Sequence, residues 1–216
     1  MKRSIILLPL LICLLILSGC GKSGASNKDY KKYVLAYLDA NYKGDVSSYA
    51  KLTGSEKDAL YDSYKDGMGT LASSLAGYYG INIPSDNKEL RDKYIDITKR
   101  IYEKADYEVK EADGEGAVVE VVVRPIKLLP DTEAEVIALT ESFNARKNNG
   151  EFDDYGTGKY ESEFAEGVLA IIEAKLDSLS YGDQASVKVE ITGGDGNYSL
   201  NGEDLKKLDA LFITAD

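Results

Sequence analysis

By type and spacing, the residues best placed to do chemistry are carboxylates. Glu151, Asp153, Asp154, Glu161 and Glu163 gather in one short stretch. Paired carboxylates can act as acid and base on a glycosidic bond, or hold a hard cation. The same residue types also favour the first turn of a helix, so a solvated acidic loop and helix start is the simpler reading. A second run, Asp195, Asn197 and Ser199, has the alternating oxygens that begin a calcium loop. The later positions need glycine and glutamate, and the chain has Leu200 and Lys206 there. That run reads as a hairpin turn leading to a capped helix. The chain contains no histidine. His-based triads, His ligands and His acid–base work are therefore excluded. It also holds no phosphate-cradling glycine loop and no Gly-x-Ser-x-Gly elbow. The sequence assigns no catalytic residue, no metal ligand and no cofactor.

The remaining reactive group is a thiol. Met1-Lys2-Arg3 is followed by an almost wholly apolar run from Ile5 to Leu17, interrupted by Pro9. A basic start, a short apolar core and small residues before a cut make a secretory signal. The run is shorter than the roughly 20 residues a spanning helix needs. Behind it stands Leu17-Ser18-Gly19-Cys20, which resembles the lipobox of bacterial lipoproteins at all four positions. The resemblance implies a thioether-linked lipid on Cys20 and cleavage after Gly19. Two acyl chains hold a protein at a membrane stably, whereas one does so only marginally. The expected organisation is a signal peptide over 1–19, the lipidated cysteine and a flexible Gly/Ser-rich tether over 20–28, and one extracytoplasmic domain over 29–216.

Charge and composition narrow the partners. The net charge of −11 becomes −13 once Lys2 and Arg3 leave with the signal. Such a chain is repelled by nucleic acid, and no basic stripe offsets this, so no nucleic-acid partner is expected. Cys13 leaves with the signal and Cys20 takes the lipid, so the domain must stand without disulfides. Tyrosine is abundant, at 16 residues. Tyr30, Tyr33 and Tyr37 share a helical face with Val34 and Leu38 and read as core rim. Tyr78, Tyr79 and Tyr155 lie near loops and are the candidate surface contacts, since tyrosine offers large contact area at small entropic cost.

These residues need a scaffold, and the periodicity supplies one. Helical spacing runs from Tyr30 to Leu38 with Gly44 as the stop. It resumes behind Ser55, with Leu60, Tyr64, Met68, Leu71, Leu75 and Tyr78 inward, and again behind Ser85, with Leu90, Tyr94, Ile97 and Ile101. Strand alternation follows at Tyr107 and Val109. A turn at Asp113-Gly116 leads to the β-branched run Val118-Val123, apolar on both faces and so expected at the centre of a sheet. Pro125 and Pro130 bracket a crossing loop. Thr132-Glu133-Ala134-Glu135 matches a capping box before a helix carrying Val136, Leu139, Thr140 and Phe143. A further helix carries Tyr160, Phe164, Val168, Ile171, Ile172, Leu176 and Leu179. Gln184 to Thr192 is the clearest strand. Its partner holds Tyr198 and Leu200, and Asn201-Asp204 caps a last helix. The expectation is an α+β fold in which two hairpins form one four-stranded antiparallel sheet with several helices packed on it.

The lipobox, the early Tyr33-to-Ala40 helix followed by Lys43-Gly44-Asp45, and the ending Asp195-Gly196-Asn197-Tyr198 resemble small Gram-positive membrane lipoproteins with NTF2-like or cystatin-like domains. Those proteins often carry Trp where Tyr198 stands. The resemblance implies no shared catalytic residues. The functional expectation is a lipid-anchored module on the extracytoplasmic face of the cell membrane that binds an envelope protein or a small ligand without doing chemistry. The alternatives are a carboxylate-dependent enzyme acting on envelope glycans and a passive structural lipoprotein. Turnover on envelope material would mark the first, and a lack of any saturable binding the second.

Overall fold

The computed structural model describes residues 27–84, 86–111, 117–194 and 197–214. The signal segment, Cys20 and the turns expected at Asp113-Gly116 and Asp195-Gly196 lie outside the described residues. Within the span 29–216, packing resolves two compact units. The first holds residues up to Gly67, Tyr102–Pro125 and Gly182–Phe212; the second holds Met68–Ile101, Ile126–Tyr181 and the residues from Ile213.

In the first unit the valine-rich run forms β2 (Val118–Arg124). Its β-branched side chains suit a pleated surface and need neighbours on both edges. They find them in β1 (Asp106–Glu111) and β3 (Ala185–Gly194). The short β4 (Asn197–Leu200) completes an antiparallel sheet of order β1-β2-β3-β4. The register aligns Val109, Val121 and Val187 across three strands, and sets Val119 opposite Val189. Strand alternation puts these on one face, where Val109, Val119, Val121 and Val189 are buried. On the other face Lys110, Glu120 and Lys188 form a row of alternating charge. There the Ser186 hydroxyl donates to Glu120 Oε1 at 2.7 Å. Helix α1 (Asn27–Leu38) packs on β1 and β2, and the closing helix α7 (Gly202–Phe212) on β2 and β3. The expected α+β arrangement, with two hairpins in one sheet and helices packed on it, is therefore present.

Several tyrosines of this unit are buried or half-buried with polar handles. Tyr33 Oη donates to the Tyr198 carbonyl at 2.7 Å and lies 3.1 Å from Tyr49 Oη. Tyr107 Oη donates to Asp39 Oδ1 at 2.6 Å. Tyr42 Oη donates to Asp209 Oδ1. Tyr42 itself is buried against Tyr102 and Phe212, at ring distances of 5.6 and 4.1 Å. Burial pushes the Tyr42 and Tyr102 hydroxyls well above the usual tyrosine range. It also raises the Asp209 carboxyl to about 6, with the Tyr42 bond acting in the opposite sense. Asp39 and Tyr42 sit on a widened π-helical turn, Asp39–Lys43, that continues α1. Gly44 ends it at φ +69°, where a Cβ would stand 2.8 Å from the Tyr64 ring. The expected helix stop is thus doubly glycine-specific.

The second unit is helical around an aliphatic core. It draws on the C-terminal half of α3 (Lys57–Tyr78), most of α4 (Lys88–Glu103), α5 (Leu128–Asn148) and α6 (Thr157–Lys175). Leu90, Ile97, Ile101, Leu128, Val168 and Ile172 are fully buried there. Each such side chain contributes about 1.5–3 kcal/mol relative to exposure. Buried Tyr94 satisfies its hydroxyl by donating to the Ala165 carbonyl at 3.0 Å.

Several local expectations shift. Helix α2 (Ser47–Thr53) was not legible: it buries only Tyr49 and Ala50, too few residues to show a period. Helix α3 begins at Lys57, just past the expected Ser55 cap. Helix α4 begins at Lys88 instead of behind Ser85, with Asn87 Oδ1 accepting the Leu90 N–H at 3.1 Å. The capping-box reading of Thr132 is corrected. Helix α5 begins at Leu128, and Pro130 falls in its first turn, where no N–H is needed. Thr132 is therefore inside the helix and fully buried. Its hydroxyl donates back to the Leu128 carbonyl at 2.8 Å.

Candidate functional site

Helices α5 and α6 and the turn that follows α3 build a cleft in the second unit. Along α5, Thr140, Phe143 and Asn144 recur at the three- and four-residue spacing of one helical face. Along α6, Tyr160, Glu161 and Phe164 do the same. With the turn Gly80–Asn82 they line a cleft of about 290 Å³. The Asn87 amide fixes the segment beyond that turn by donating to Ser162 Oγ of α6 at 3.0 Å.

An aromatic cluster forms the floor. Phe143 is buried, with Phe152 stacked on it at 5.5 Å and Tyr160 and Phe164 meeting it edge-on at 5.7 and 5.3 Å. The chain enters the loop through Gly150 at φ +78°, where a Cβ would meet Asp153 Oδ2 at 2.9 Å. This sharp turn brings Phe152 back under α5.

Arg146 covers the aromatic cluster from outside the cleft lining. Its Cζ lies 4.8 Å from the Phe143 ring centre and 4.6 Å from that of Phe152. Its Nε and Nη2 donate to Glu151 Oε1 at 2.9 and 2.7 Å, and Nη2 also donates to Glu163 Oε1 at 2.6 Å. These bonds raise the guanidinium further above its usual range and hold Glu151 below the usual carboxylate range. Two of the five carboxylates singled out in the sequence are thus partners of one arginine. Asp153 and Asp154 are exposed on the loop. Glu161 is half-buried in the cleft lining, and among the described residues it has no ion-pair or hydrogen-bond partner.

The candidate tyrosines divide. Tyr155 sits on the loop, edge-on to Phe152 at 5.1 Å, with Lys159 Nζ 3.8 Å above its ring. Tyr78 and Tyr79 are half-buried, 5.2 Å apart and edge-on, and pack against the core of the second unit. Tyr79 Oη lies 2.7 Å from Thr132 Oγ1, and burial pushes its hydroxyl up to about 12. Cys20 and Asp195 lie outside the described residues. Asn197 to Leu200 of the calcium-like run is strand β4. Among the described residues, no group of carboxylates has the geometry of a metal site, and no helix is long and apolar enough to cross a membrane.

Sequence reasoning missed Arg146, Asn144, Phe152 and the Gly80–Asn82 turn as parts of one site. The available signal was Phe143 followed by Arg146 at helical spacing and two acidic residues within reach. Nothing in the sequence placed the turn after α3 beside them.

A second groove of about 950 Å³ runs between α4 and α6 over Leu169, Ala170 and Ala174. It is shallower, and charges bridge it: Lys93 reaches Glu166 at 3.4 Å, and Arg100 pairs with Glu173.

Against known proteins, no family model matches the chain and no curated protein resembles it. Among solved structures, the fold is similar to that of a Bacillus subtilis protein named as a lipoprotein (ycdA). The TM-score is 0.58 and the identity 16%, over 86% of this chain and 56% of the other. This chain therefore spans little more than half the length of the solved protein it matches, and the likeness is one of fold.

Proposed function

We propose that this protein is a membrane-anchored extracytoplasmic lipoprotein whose folded part is a non-catalytic binding module, built on an NTF2-like or cystatin-like scaffold. The observation that carries the reading is the cleft between α5, α6 and the Gly80–Asn82 turn. It joins an apolar aromatic floor to a few convergent polar groups, the composition typical of small-molecule sites. The scaffold assignment is supported by two helices packed on a four-stranded antiparallel sheet. The anchor is supported by Leu17-Ser18-Gly19-Cys20 behind an apolar segment and by the lipoprotein name of the fold-similar protein.

The two halves of the proposal are tested separately. Cys20→Ala should release the protein to the medium or leave it as uncleaved precursor; a variant that fractionates and migrates like wild type overturns the anchor. For the module, the full-length lipoprotein in nonionic detergent is screened for thermal shifts against wall fragments and metabolites. Asn144→Trp, placed on an exposed helix position at the cleft mouth, should abolish any saturable shift. A hit that Asn144→Trp leaves untouched removes the cleft from the reading.

A further inference from the structure

The reading of the cleft as a binding site can be carried to a ligand class. Among the described residues that line it, Glu161 is the one charged side chain. No lysine or arginine of that lining answers it, and no ion pair or hydrogen bond holds it elsewhere among the described residues. An anion entering the cleft would meet this carboxylate. A neutral body would strip water from it without replacing the lost interactions. A cation would complete it.

The surrounding rings favour the same charge. Aromatic faces carry negative potential and attract ammonium and guanidinium groups. The molecule already uses this chemistry on the other side of the same cluster. There Arg146 stacks on Phe143 and Phe152 while Glu151 and Glu163 bind its nitrogens. The cleft repeats the parts, with Tyr160 and Phe164 as rings and Glu161 as carboxylate, and leaves out the cation. Its volume of about 290 Å³ lies at the lower end of small-molecule sites. It therefore suits one compact body and not a peptide or glycan chain.

We propose that the cleft takes a small organic cation, an ammonium group on a short apolar body, with Glu161 as its counter-charge and Tyr160 and Phe164 against its methyl or methylene groups. This rests on the cleft being a binding site at all, and the test separates the two claims.

The probes are choline, n-butylammonium and 3,3-dimethylbutan-1-ol, the last being choline's uncharged isostere, together with p-cresol as a neutral aromatic. Each is titrated calorimetrically into the full-length lipoprotein in nonionic detergent. The expected result is saturable binding of at least one cation, weakened about tenfold or more for the isostere and for Glu161→Gln. Tyr160→Leu, which keeps an apolar filling and removes the ring, should weaken the cation as well. Thermal melts of both variants confirm that they fold. Equal binding of choline and its isostere, or cation binding indifferent to Glu161→Gln, overturns the cation assignment. Saturable p-cresol binding that Asn144→Trp abolishes, with no cation bound, overturns the ligand class and leaves the binding cleft standing. Silence from every probe overturns the cation, and the wider screen then decides the cleft.

Discussion

The two compact units fill their cores with different materials. In the first, the core is rich in tyrosines whose hydroxyls reach specific acceptors: Tyr33 the Tyr198 carbonyl, Tyr107 Asp39, and Tyr42 Asp209. In the second, leucine, isoleucine and valine dominate, and Tyr94 is the fully buried tyrosine. Both units lie in a span without cysteine, so neither is cross-linked by a disulfide. An aliphatic core depends on shape alone. A tyrosine core adds bonds with a direction, and it makes the unit sensitive to the loss of single oxygen atoms and to pH. In the second unit Phe143, Phe152, Tyr160 and Phe164 gather in one cluster, and the cleft opens beside it.

The largest effects should come from deleting bulk, and here the units should behave alike. Phe212→Ala in the first is expected to cost about 3–5 kcal/mol, and Ile172→Ala in the second about 2–5 kcal/mol. Both residues are at most 1% exposed. Denaturant unfolding, with amide exchange followed in each unit, measures both. A cost below 1 kcal/mol at either position would mean that the core described there is not packed.

Removing one oxygen should separate the units. Tyr42→Phe leaves the partly buried Asp209 carboxylate without its donor, and such a loss costs about 1–3 kcal/mol. Tyr94→Phe in the second unit leaves only the backbone carbonyl of Ala165 short of a partner, and the net cost should be nearer 1 kcal/mol. Equal costs would erase the distinction between the two cores.

The same carboxylate predicts a pH dependence confined to the first unit. Asp209 has a folded pKa of about 6 against an ordinary 3.8. Between those values the folded chain holds a proton that the unfolded chain has lost. Stability from this group is therefore greatest at the acid end of the window and declines as pH rises through 6. Asp209→Asn should flatten that part of the stability–pH curve relative to wild type. Tyr42→Phe should extend it to higher pH, because the Tyr42 bond lowers the carboxyl's pKa. Parallel curves for wild type and Asp209→Asn would remove the titration.

A last pair tests how each unit tolerates an added methyl, and its second member should show the smallest effect. Gly44→Ala in the first unit combines a positive φ, costing about 1–2 kcal/mol, with a close approach to the Tyr64 ring. Gly167→Ala in α6 meets only the flexible end of Leu139, at 2.9 Å. Its helix-propensity gain of up to about 1 kcal/mol offsets the adjustment, so the net change should be close to zero. Thermal unfolding distinguishes the pair.

Much of this protein was decided by sequence alone. Strand and helix periods depend on which residues are apolar along a short segment. Hence the valine run at Val118–Val123 could be read as a central strand, and Gln184–Thr192 as a half-exposed one. Gly44 could be read as a helix stop because only a left-handed residue closes a helix that way. The reading of the apolar leader and Cys20 as an export and lipidation signal rests on the linear sequence alone. What the sequence could not decide was anything made by residues distant along the chain. Thr132 looked like a cap because its neighbours fit one; only the packing of Leu128 and Leu129 drew the helix start back past Pro130 and buried the hydroxyl. Tyr42 and Asp209 meet across 167 residues. The cleft needs the turn after α3 beside α5 and α6, and no local period encodes that. Local free energies of a few tenths of a kcal/mol per residue choose helix or strand. Whether a carboxylate ends up bound to an arginine, as Glu163 does, or left open in a cleft, as Glu161 is, depends on burial and neighbours that only the tertiary structure supplies.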